Sequence, residues 1–176
     1  MDSVAMGPDG QANHLLGLMR SQRNSGSLKS YTEFLPGLFL NSDPALELRG
    51  KFKSPADQLL ELTLKPHGNG NWCGLHLALG PMRLDNLGIF GFALRGHARE
   101  MTMLRACLRS GTDEGFVDCF FDKHVLLRAE EASHIDALSL NQNTNIPQHA
   151  NWRELVIFLP TQACQLMLAD LRVFAV

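Results

Sequence analysis

The sequence predicts an all-β fold, an antiparallel β-sandwich preceded by an irregular or partly helical N-terminal arm. From Ala45 onward, short segments alternate apolar with polar residues and are separated by Gly, Pro, Asn and Asp. Such segments recur about every ten residues, which is the pattern of sandwiches and barrels. A parallel sheet would need helical crossovers between its strands, and only residues 130–138 contain a weak helical alternative. The pattern therefore favours an all-β domain over a parallel α/β fold.

Length and composition limit the classes of protein that fit. A chain of 176 residues with 45% hydrophobic and 19% charged residues can bury the core of one domain, with a short appendage. Its formal net charge of -2 creates no global field for nucleic acid or an anionic membrane. One group of arginines could form a local stripe, but no aromatic residue alternates with them for base stacking: Arg95, Arg99, Arg105 and Arg109. We therefore expect neither nucleic acid nor a membrane as partner.

Residues 1–43 differ in composition from the rest and are predicted to form an arm, with residues 44–176 forming the β-sandwich domain. The arm is rich in Gly, Ser, Asn and Gln, and it contains one short helical candidate over 12–23. A second apolar segment, 34–40, is interrupted by the pair Pro36-Gly37, which favours a turn. Because an exposed cluster of Leu and Phe favours association, we expect the arm to dock on the domain, on a second copy of the chain or on another protein.

Strand candidates follow in order through the rest of the chain. Residues 46–49 and 60–64 alternate, and the second segment ends in a turn-forming run of Pro, Gly and Asn. In 72–79, three leucines share one side of the strand while His76 lies on the other. The remaining candidates are 89–95, 100–108, 116–121, 124–128, 135–140, 153–159 and 165–176.

The cysteines point to free, buried thiols. Cys73, Cys107, Cys119 and Cys164 are far apart, each within an apolar segment, and no pair has the CxxC spacing of a zinc or redox site. The sequence begins without the basic start and apolar run of a secretory signal, and it has no Asn-x-Ser/Thr acceptor. We therefore expect a soluble protein in the cytoplasm, with a cell-surface or virion location left open.

Motifs for catalysis or metal binding are few. The seven histidines never occur as HxH, HxxxH or HExxH, and the phosphate-binding glycine loops and the Gly-x-Ser-x-Gly elbow are absent. A metal-dependent enzyme on a cupin-like barrel is therefore the weakest hypothesis, and its candidate residues are His76, His97, Asp118 and His124. The simpler interpretation of these residues is a polar outer face.

Amide and aromatic side chains concentrate in two loops. Trp72 follows Asn69 and Asn71, and the second loop runs to Trp152. Sugars present hydroxyls in fixed directions and a weakly apolar C–H face, so sites for them combine amide hydrogen bonds with an aromatic platform. The predicted ligand-binding residues are Trp152, Asn151, Asn141, Asn143, Asn145 and Trp72. For each tryptophan alone, the simpler alternative is an anchor at the rim of the core.

The last quarter of the chain resembles a known family. Residues 152–160 form an apolar segment opened by Trp152, and an apolar-x-Asp-apolar-x-Val pattern follows at Leu168, Asp170, Leu171 and Val173. Both segments look like the closing strands of galactose-binding-like jelly rolls, a fold that many carbohydrate-binding modules share. The resemblance implies a jelly roll of two antiparallel sheets, with sugar bound on a concave sheet face or at the loops of one end. Where such modules bind structural calcium, the resemblance implies Asp170 as one of the ligands; apart from this calcium, we expect no cofactor.

Two functions compete at this point. The leading hypothesis is a non-catalytic, lectin-like module that binds carbohydrate or a glycosylated partner through the Asn-rich loops, with Trp152 stacking on a sugar ring. The other is a structural or adaptor protein, homo-oligomeric or bound to another protein through residues 1–43 and an exposed sheet edge. The chain has one tyrosine and two tryptophans, few for a flat polysaccharide platform, and this keeps the second hypothesis open.

Overall fold

Two antiparallel sheets packed face to face form the fold, as the sequence predicts. A computed structural model describes residues 7, 9–80 and 82–176 of the chain. In chain order the elements are α1 (Gly10–Ser21), β1 (Ser25–Leu28), β2 (Tyr31–Leu35), β3 (Leu38–Ser42), a 3-10 helix (Pro44–Leu46), β4 (Arg49–Lys53), β5 (Leu60–Lys65), β6 (Cys73–Gly80), β7 (Ile89–Ala98), β8 (Thr102–Thr112), β9 (Gly115–Phe120), β10 (Val125–Leu127), β11 (Ala132–Ser139), β12 (Arg153–Phe158) and β13 (Cys164–Ala175).

The strands are divided between a first sheet of six strands and a second sheet of seven. The first has the order β1-β4-β5-β13-β7-β11. The second has the order β10-β8-β12-β6-β3-β2, and β9 also pairs with β8. In both sheets, strands from the first half of the chain therefore pair with strands from its last quarter, β5 with β13 and β6 with β12.

Alternating leucines build the core between the sheets. Leu60, Leu62 and Leu64 of β5 face it from the first sheet, and Leu75 and Leu77 of β6 face it from the second; all five are buried. Because successive residues of a strand point to opposite sides, the residues between these leucines project from the outer faces. Each sheet therefore presents one outer face to solvent.

Helix α1 connects the two sheets. Leu16 and Met19 are fully buried in the core. The Asn13 side chain donates to the backbone oxygen of Val173 in β13 at 2.7 Å and accepts from its backbone nitrogen at 2.9 Å. The Ser54 hydroxyl donates to the backbone oxygen of Met19 at 2.8 Å. Among the described residues, no helix has the length and apolarity needed to cross a bilayer.

Residues 25–42 form strands, which corrects the expectation of an irregular arm over 1–43. Strand β1 pairs with β4 in the first sheet, while β2 and β3 form a hairpin that joins the second sheet through β6. The predicted turn at Pro36-Gly37 is confirmed, and Gly37 has a φ of 93°, which favours glycine. Within 34–40, Phe34, Leu38 and Leu40 are buried in the core, and the last two are fully buried. Residues 1–6 and 8 of the predicted arm lie outside the described residues.

Local structure differs most from the sequence-based interpretation at three places. The helix spans Gly10–Ser21 rather than 12–23. Residues 46–48 are not part of a strand, because Leu46 ends the 3-10 helix and β4 begins only at Arg49. Asp43 caps that helix by accepting a hydrogen bond from the Ala45 backbone nitrogen at 2.9 Å, and Pro44 favours its first turn. The helical alternative over 130–138 falls mostly in strand β11.

Candidate functional site

The outer face of the second sheet carries aromatic side chains, and we name it the aromatic face. It is formed by alternate residues of β2, β3, β6, β12, β8 and β9, whose neighbours along each strand point into the core. Its aromatic residues, from one edge of the sheet to the other, are Tyr31, Phe39, His76, Phe158, Trp152, Phe120 and Phe116.

Trp152 lies against the sheet because its neighbour in β8 is a glycine. The backbone nitrogen of Gly111 donates to the Trp152 carbonyl at 3.0 Å, so the two residues are side by side. A Cβ at Gly111 would stand 2.3 Å from Nε1 of Trp152 and 2.5 Å from Cε2. Phe116 of β9 is the partner of Gly111 on its other side. Trp152 is 38% and Phe116 53% exposed, and we name these two exposed rings beside Gly111, at one end of the face, the aromatic platform.

A second aromatic cluster lies further along the same strands. Phe120 and Phe158 are stacked, with ring centroids 5.8 Å apart and planes inclined by 28°. The guanidinium of Arg105 lies 3.9 Å from the centroid of Phe120, a cation–π contact. The floor beneath is formed by Val156 and Cys107, which are fully buried, and this burial raises the pKa of the Cys107 thiol. This part of the face is therefore packed and apolar, with a cation at its surface.

His76 extends the aromatic face toward its far edge. Its ring stacks on Phe39 at 4.7 Å with an interplanar angle of 10°, and Phe39 contacts Tyr31 at 5.5 Å. Nδ1 of His76 lies 2.8 Å from Oε2 of Glu154. Because an ionised carboxylate can only accept, Nδ1 carries the proton. Nε2 is buried without a partner among the described residues.

Charged side chains flank the platform. Arg109 donates two hydrogen bonds to the carboxylate of Asp118, at 2.7 and 2.8 Å, and its guanidinium lies 3.8 Å from the centroid of Phe116. The hydrogen bond to Asp118 raises the pKa of Arg109. Glu154 is the neighbour of Arg109 in β12. The face therefore offers hydrogen-bond donors and acceptors beside its rings, as a polyhydroxyl ligand requires.

An open hollow of about 840 Å³ adjoins the platform. Gly111, beneath Trp152, is part of its lining. The polar side chains around it come from three loops and include Arg83, Asp113, His149 and Asn151. The platform therefore continues into a polar recess.

Arg153 anchors the loops around this hollow from the inside. It is 1% exposed, and its Nε donates to the backbone oxygen of Met82 at 3.0 Å. Nη2 donates to the backbone oxygens of Pro147 and Gln148 at 2.6 and 3.1 Å, and Nη1 donates to the Ser110 hydroxyl. Burial lowers the pKa of Arg153, and within the described residues no carboxylate pairs with it.

The residues predicted in the Asn-rich loop are partly brought together here. Trp152 forms the platform, and Asn151 lines the hollow. Asn141 and Asn145 are exposed in the same connection between β11 and β12. The Asn143 side chain is engaged locally, since its Nδ2 donates to the Ser139 carbonyl at 2.7 Å and its Oδ1 accepts from the Cys119 thiol at 3.6 Å.

Trp72 is not part of this group. Strands β6 and β12 are antiparallel, and Gly80 rather than Trp72 lies opposite Arg153. Trp72 and Trp152 therefore stand at opposite ends of the second sheet, roughly 25 Å apart along the strands. The two loops therefore lie apart, and ligand binding by Trp72 stays a prediction.

Asp170 is engaged by arginines. Its carboxylate accepts from Arg20 of α1 and from Nε of Arg172 at 3.2 Å. A calcium ion at this position would have to displace Arg20. No group of three or more His, Cys, Asp or Glu side chains suited to a metal ion occurs in residues 7, 9–80 and 82–176. Calcium binding by Asp170 stays a prediction.

The residues of the enzyme hypothesis do not form one cluster. His97 lies on β7 of the first sheet, whereas His76 and Asp118 are on the second, paired with Glu154 and Arg109. His124 is exposed between β9 and β10. The arginine group is divided in the same way, with Arg95 on the first sheet and both Arg105 and Arg109 on the second.

Most of the aromatic face was not predicted from the sequence. In β12, Leu155 and Ile157 face the core while Val156 and Phe158 face outward, so both sides of the strand are apolar and alternation cannot separate them. The available signal was the concentration of phenylalanines, at Phe116, Phe120 and Phe158, on the side opposite the core residues.

No protein-family model matches the sequence, and comparison with curated proteins found no match. Solved structures do share its fold. A carbohydrate-binding module of family 4 (CBM4) has a TM-score of 0.61 and 11% identity, over 86% of this chain and 95% of that one. The CBM22-1 xylan-binding domain of Xyn10C from Paenibacillus barcinonensis has a TM-score of 0.53 and 10% identity, over 89% and 97% of the two chains. A family 30 carbohydrate-binding module has a TM-score of 0.50 and 13% identity, over 88% and 84%. This likeness shows the fold, a β-sandwich like those of carbohydrate-binding modules, as the resemblance implied.

Proposed function

We propose that this protein is a non-catalytic module that binds a neutral polysaccharide along the aromatic face. The observation that carries the proposal is the indole of Trp152 held over Gly111 beside the exposed ring of Phe116. The similar solved structures are carbohydrate-binding modules, and one is named as a xylan-binding domain, which supports a sugar ligand.

The platform suits the apolar C–H face of a sugar ring. Trp152 and Phe116 are rigid, with two side-chain torsions each, so ordering them on binding costs little entropy. Trp152 is also restrained by Gly111 beneath it. A sugar that stacks here displaces water from both rings without a rearrangement of the sheet.

The length of the aromatic face favours a polymer over a single sugar. Phe116 and Phe120 are four residues apart on β9, which corresponds to roughly 13 Å along the strand. A chain that contacts the platform and also the Phe120–Phe158 cluster must therefore contain several sugar units. Asn151 and His149 in the adjoining hollow offer hydrogen bonds to the end of that chain.

The charges of this face favour a neutral ligand. Arg109 is neutralised by Asp118, and Arg105 lies on the same face as Glu154. Around the platform and the Phe120–Phe158 cluster, two cations and two carboxylates thus balance, and Glu33 adds one carboxylate at the far edge, opposite Phe39. An anionic or cationic polymer would gain no net Coulomb attraction there.

The test is affinity electrophoresis of the purified chain in gels that contain soluble xylan, mixed-linkage glucan or other neutral polysaccharides, with and without calcium. We expect Trp152→Ala to weaken retardation by the bound polysaccharide at least about tenfold, because the stacking contact is lost. Trp72→Ala is the matched control, since Trp72 has similar exposure, 36%, at the other end of the sheet.

Circular dichroism and thermal melting establish that both variants are folded. Equal binding by folded Trp152→Ala and by the unaltered chain contradicts the platform, and so does equal loss in Trp72→Ala. A folded, unaltered chain that binds none of the neutral polysaccharides contradicts the proposed function itself. Loss of binding on calcium removal, reproduced by Asp170→Asn, would support the calcium prediction.

A further inference from the structure

The outer face of the first sheet has the opposite character, with cations where the aromatic face has rings. Strand β4 presents Arg49, Lys51 and Lys53 outward, all exposed, while Phe52 between them points into the core. Because alternate residues of a strand are spaced about 7 Å apart, these three form a regular line of positive charge. We name this line and its neighbours on β1 and β5 the basic patch; it consists of Ser25, Ser27, Arg49, Lys51, Lys53, Glu61, Thr63 and Lys65.

The register fixes the neighbours of each cation. Arg49 lies directly opposite Lys65 of β5. Lys51 lies between Ser27 of β1 and Thr63 of β5. Like charges that face each other across two strands repel, so an anion placed near Arg49 and Lys65 would offset this repulsion.

The patch carries a net positive charge in a chain that is negative as a whole. Glu61 is its one carboxylate, and it pairs with Lys53 at 3.0 Å. Arg49, Lys51 and Lys65 have no carboxylate partner among the described residues. Three uncompensated cations on one face, in a protein of net charge -2, make this a part of the surface that attracts anions.

A shallow groove of about 420 Å³ runs over this patch. Hydroxyl groups line it beside the cations, from Ser25, Ser27 and Thr63. Hydroxyls and ammonium groups together suit a ligand that presents both hydroxyls and carboxylates. No exposed aromatic ring stands on the patch, as single-stranded nucleic acid would need for base stacking, and no exposed large apolar side chain stands there to insert into a lipid surface.

We propose that the basic patch binds an acidic polysaccharide, a polymer with a carboxylate on its sugar units, independently of the aromatic face. Lys51, together with Arg49 and Lys65, contacts its carboxylates, and the hydroxyls of Ser25, Ser27 and Thr63 contact the sugar hydroxyls between them. The protein then has two binding surfaces on opposite sides of the sandwich, one for a neutral chain and one for an acidic chain.

The experiment compares polygalacturonate with the same polymer after full methyl esterification, by affinity electrophoresis of the full chain at low salt. Esterification keeps the sugar backbone and removes its charge. We expect retardation by the acid form alone. Lys51→Gln should weaken it about fivefold, since one cation near an anionic surface is lost. Arg128→Gln is the matched control, because Arg128 is an exposed cation at the end of β10, in the other sheet.

Glu61→Gln provides a test in the opposite direction. It removes the carboxylate that neutralises Lys53, so binding of polygalacturonate should strengthen about fivefold. A purely structural role of the Lys53–Glu61 pair would instead leave binding unchanged or weaker. Trp152→Ala should leave polygalacturonate binding intact, which keeps this proposal separate from that for the aromatic face.

Four results would overturn the inference. Equal binding of the esterified polymer would show that charge is not recognised. No binding of polygalacturonate by the folded chain would remove the ligand class. Equal effects of Arg128→Gln and Lys51→Gln would place the contact outside the patch. Single-stranded DNA or anionic phospholipid vesicles that bind as tightly as polygalacturonate, with the same loss in Lys51→Gln, would make the patch an unselective anion surface.

Discussion

The two outer faces of this sandwich are built on the same inner pattern and differ in almost every other respect. On the first sheet, β4 and β5 project Arg49, Lys51, Lys53 and Lys65 around one carboxylate. On the second, β9 and β12 project phenylalanine rings, and Trp152 projects its indole just before β12. Both faces lie opposite buried core residues that alternate with them along each strand.

This difference shows that the inward and outward residues of a strand are chosen independently of each other. Inward positions must be apolar because they fill the core, whereas outward positions affect stability only weakly. They are therefore free to carry a binding chemistry. Aromatic rings contribute binding affinity through water-excluding contact with apolar sugar faces, and cations contribute it through Coulomb attraction. Binding by the two surfaces should therefore respond differently to mutation and to salt.

The largest effect on stability should come from replacing Arg153, which anchors the loops beside the aromatic platform. Arg153→Met removes a buried guanidinium and leaves the carbonyls of Met82, Pro147 and Gln148 without their donor. We expect the free energy of unfolding to fall by about 3 kcal/mol, as for the loss of a buried polar network. Chemical denaturation measures it, with the exposed Arg99→Met as control.

At temperatures where Arg153→Met remains folded, it should weaken neutral polysaccharide binding and leave polygalacturonate binding unchanged. Loss of both activities in the folded variant would show that the faces are not independent. Stability equal to that of the Arg99→Met protein would contradict the anchoring role.

Gly111→Ala should weaken binding at the aromatic face and leave binding at the basic patch unchanged, although it removes no side chain from either surface. The added Cβ would stand 2.3 Å from Nε1 of Trp152, so the indole has to leave its position. We expect neutral polysaccharide binding to fall about tenfold, because a displaced ring no longer forms a platform with Phe116. Tryptophan fluorescence should shift as the indole moves.

The control for this variant is Gly88→Ala. A Cβ added at Gly88 would stand 3.8 Å from the backbone oxygen of Val176, an ordinary van der Waals distance, so it fits. A Gly111→Ala protein with unaltered fluorescence and unaltered binding would contradict the role that we assign to the glycine.

The salt dependence of binding should distinguish the two surfaces without any mutation. The Debye length falls from about 10 Å at 0.1 M to about 3 Å at 1 M salt. Polygalacturonate binding at the basic patch should therefore weaken at least about fivefold over this range, while neutral polysaccharide binding changes little. A polygalacturonate affinity that does not depend on salt would show that its contacts are not electrostatic.

The smallest effect concerns the floor of the aromatic face. Cys107 points outward beneath the rings yet is fully buried, and burial raises its pKa. Burial also raises the pKa of Cys164 to about 11, but this thiol is only half-buried. Iodoacetamide at about pH 8, followed by mass spectrometry, should label Cys164 before Cys107, because the thiolate is the reactive form.

Phe120→Ala should speed the labelling of Cys107 a few-fold by opening its cover, since these two residues are cross-strand partners. Labelling of Cys107 as fast as Cys164 in the unaltered chain would show that the rings do not seal this floor.

Much of the candidate site was beyond sequence analysis, for reasons that particular residues illustrate. Trp152 and Asn151 could be proposed because tryptophan and amide side chains in a loop are recognisable types. Gly111 could not be linked to Trp152, since 41 positions separate them and only the pairing of β8 with β12 brings them together. Arg153 shows the same limit, because an arginine inside an apolar strand does not reveal that backbone carbonyls of two loops surround it.

The sequence by itself determined the fold class, because the alternation of leucines with polar residues has the period of a strand, and this period is a local property of the chain. It also determined the turn at Pro36-Gly37 and the short helix, within two residues of its position. Tertiary structure alone decided that residues 25–42 complete both sheets, that Trp72 and Trp152 stand apart, and that rings and cations occupy opposite faces. The physical reason is that strand order and register depend on pairing between distant segments, and a shift of one residue would exchange every outward side chain for an inward one.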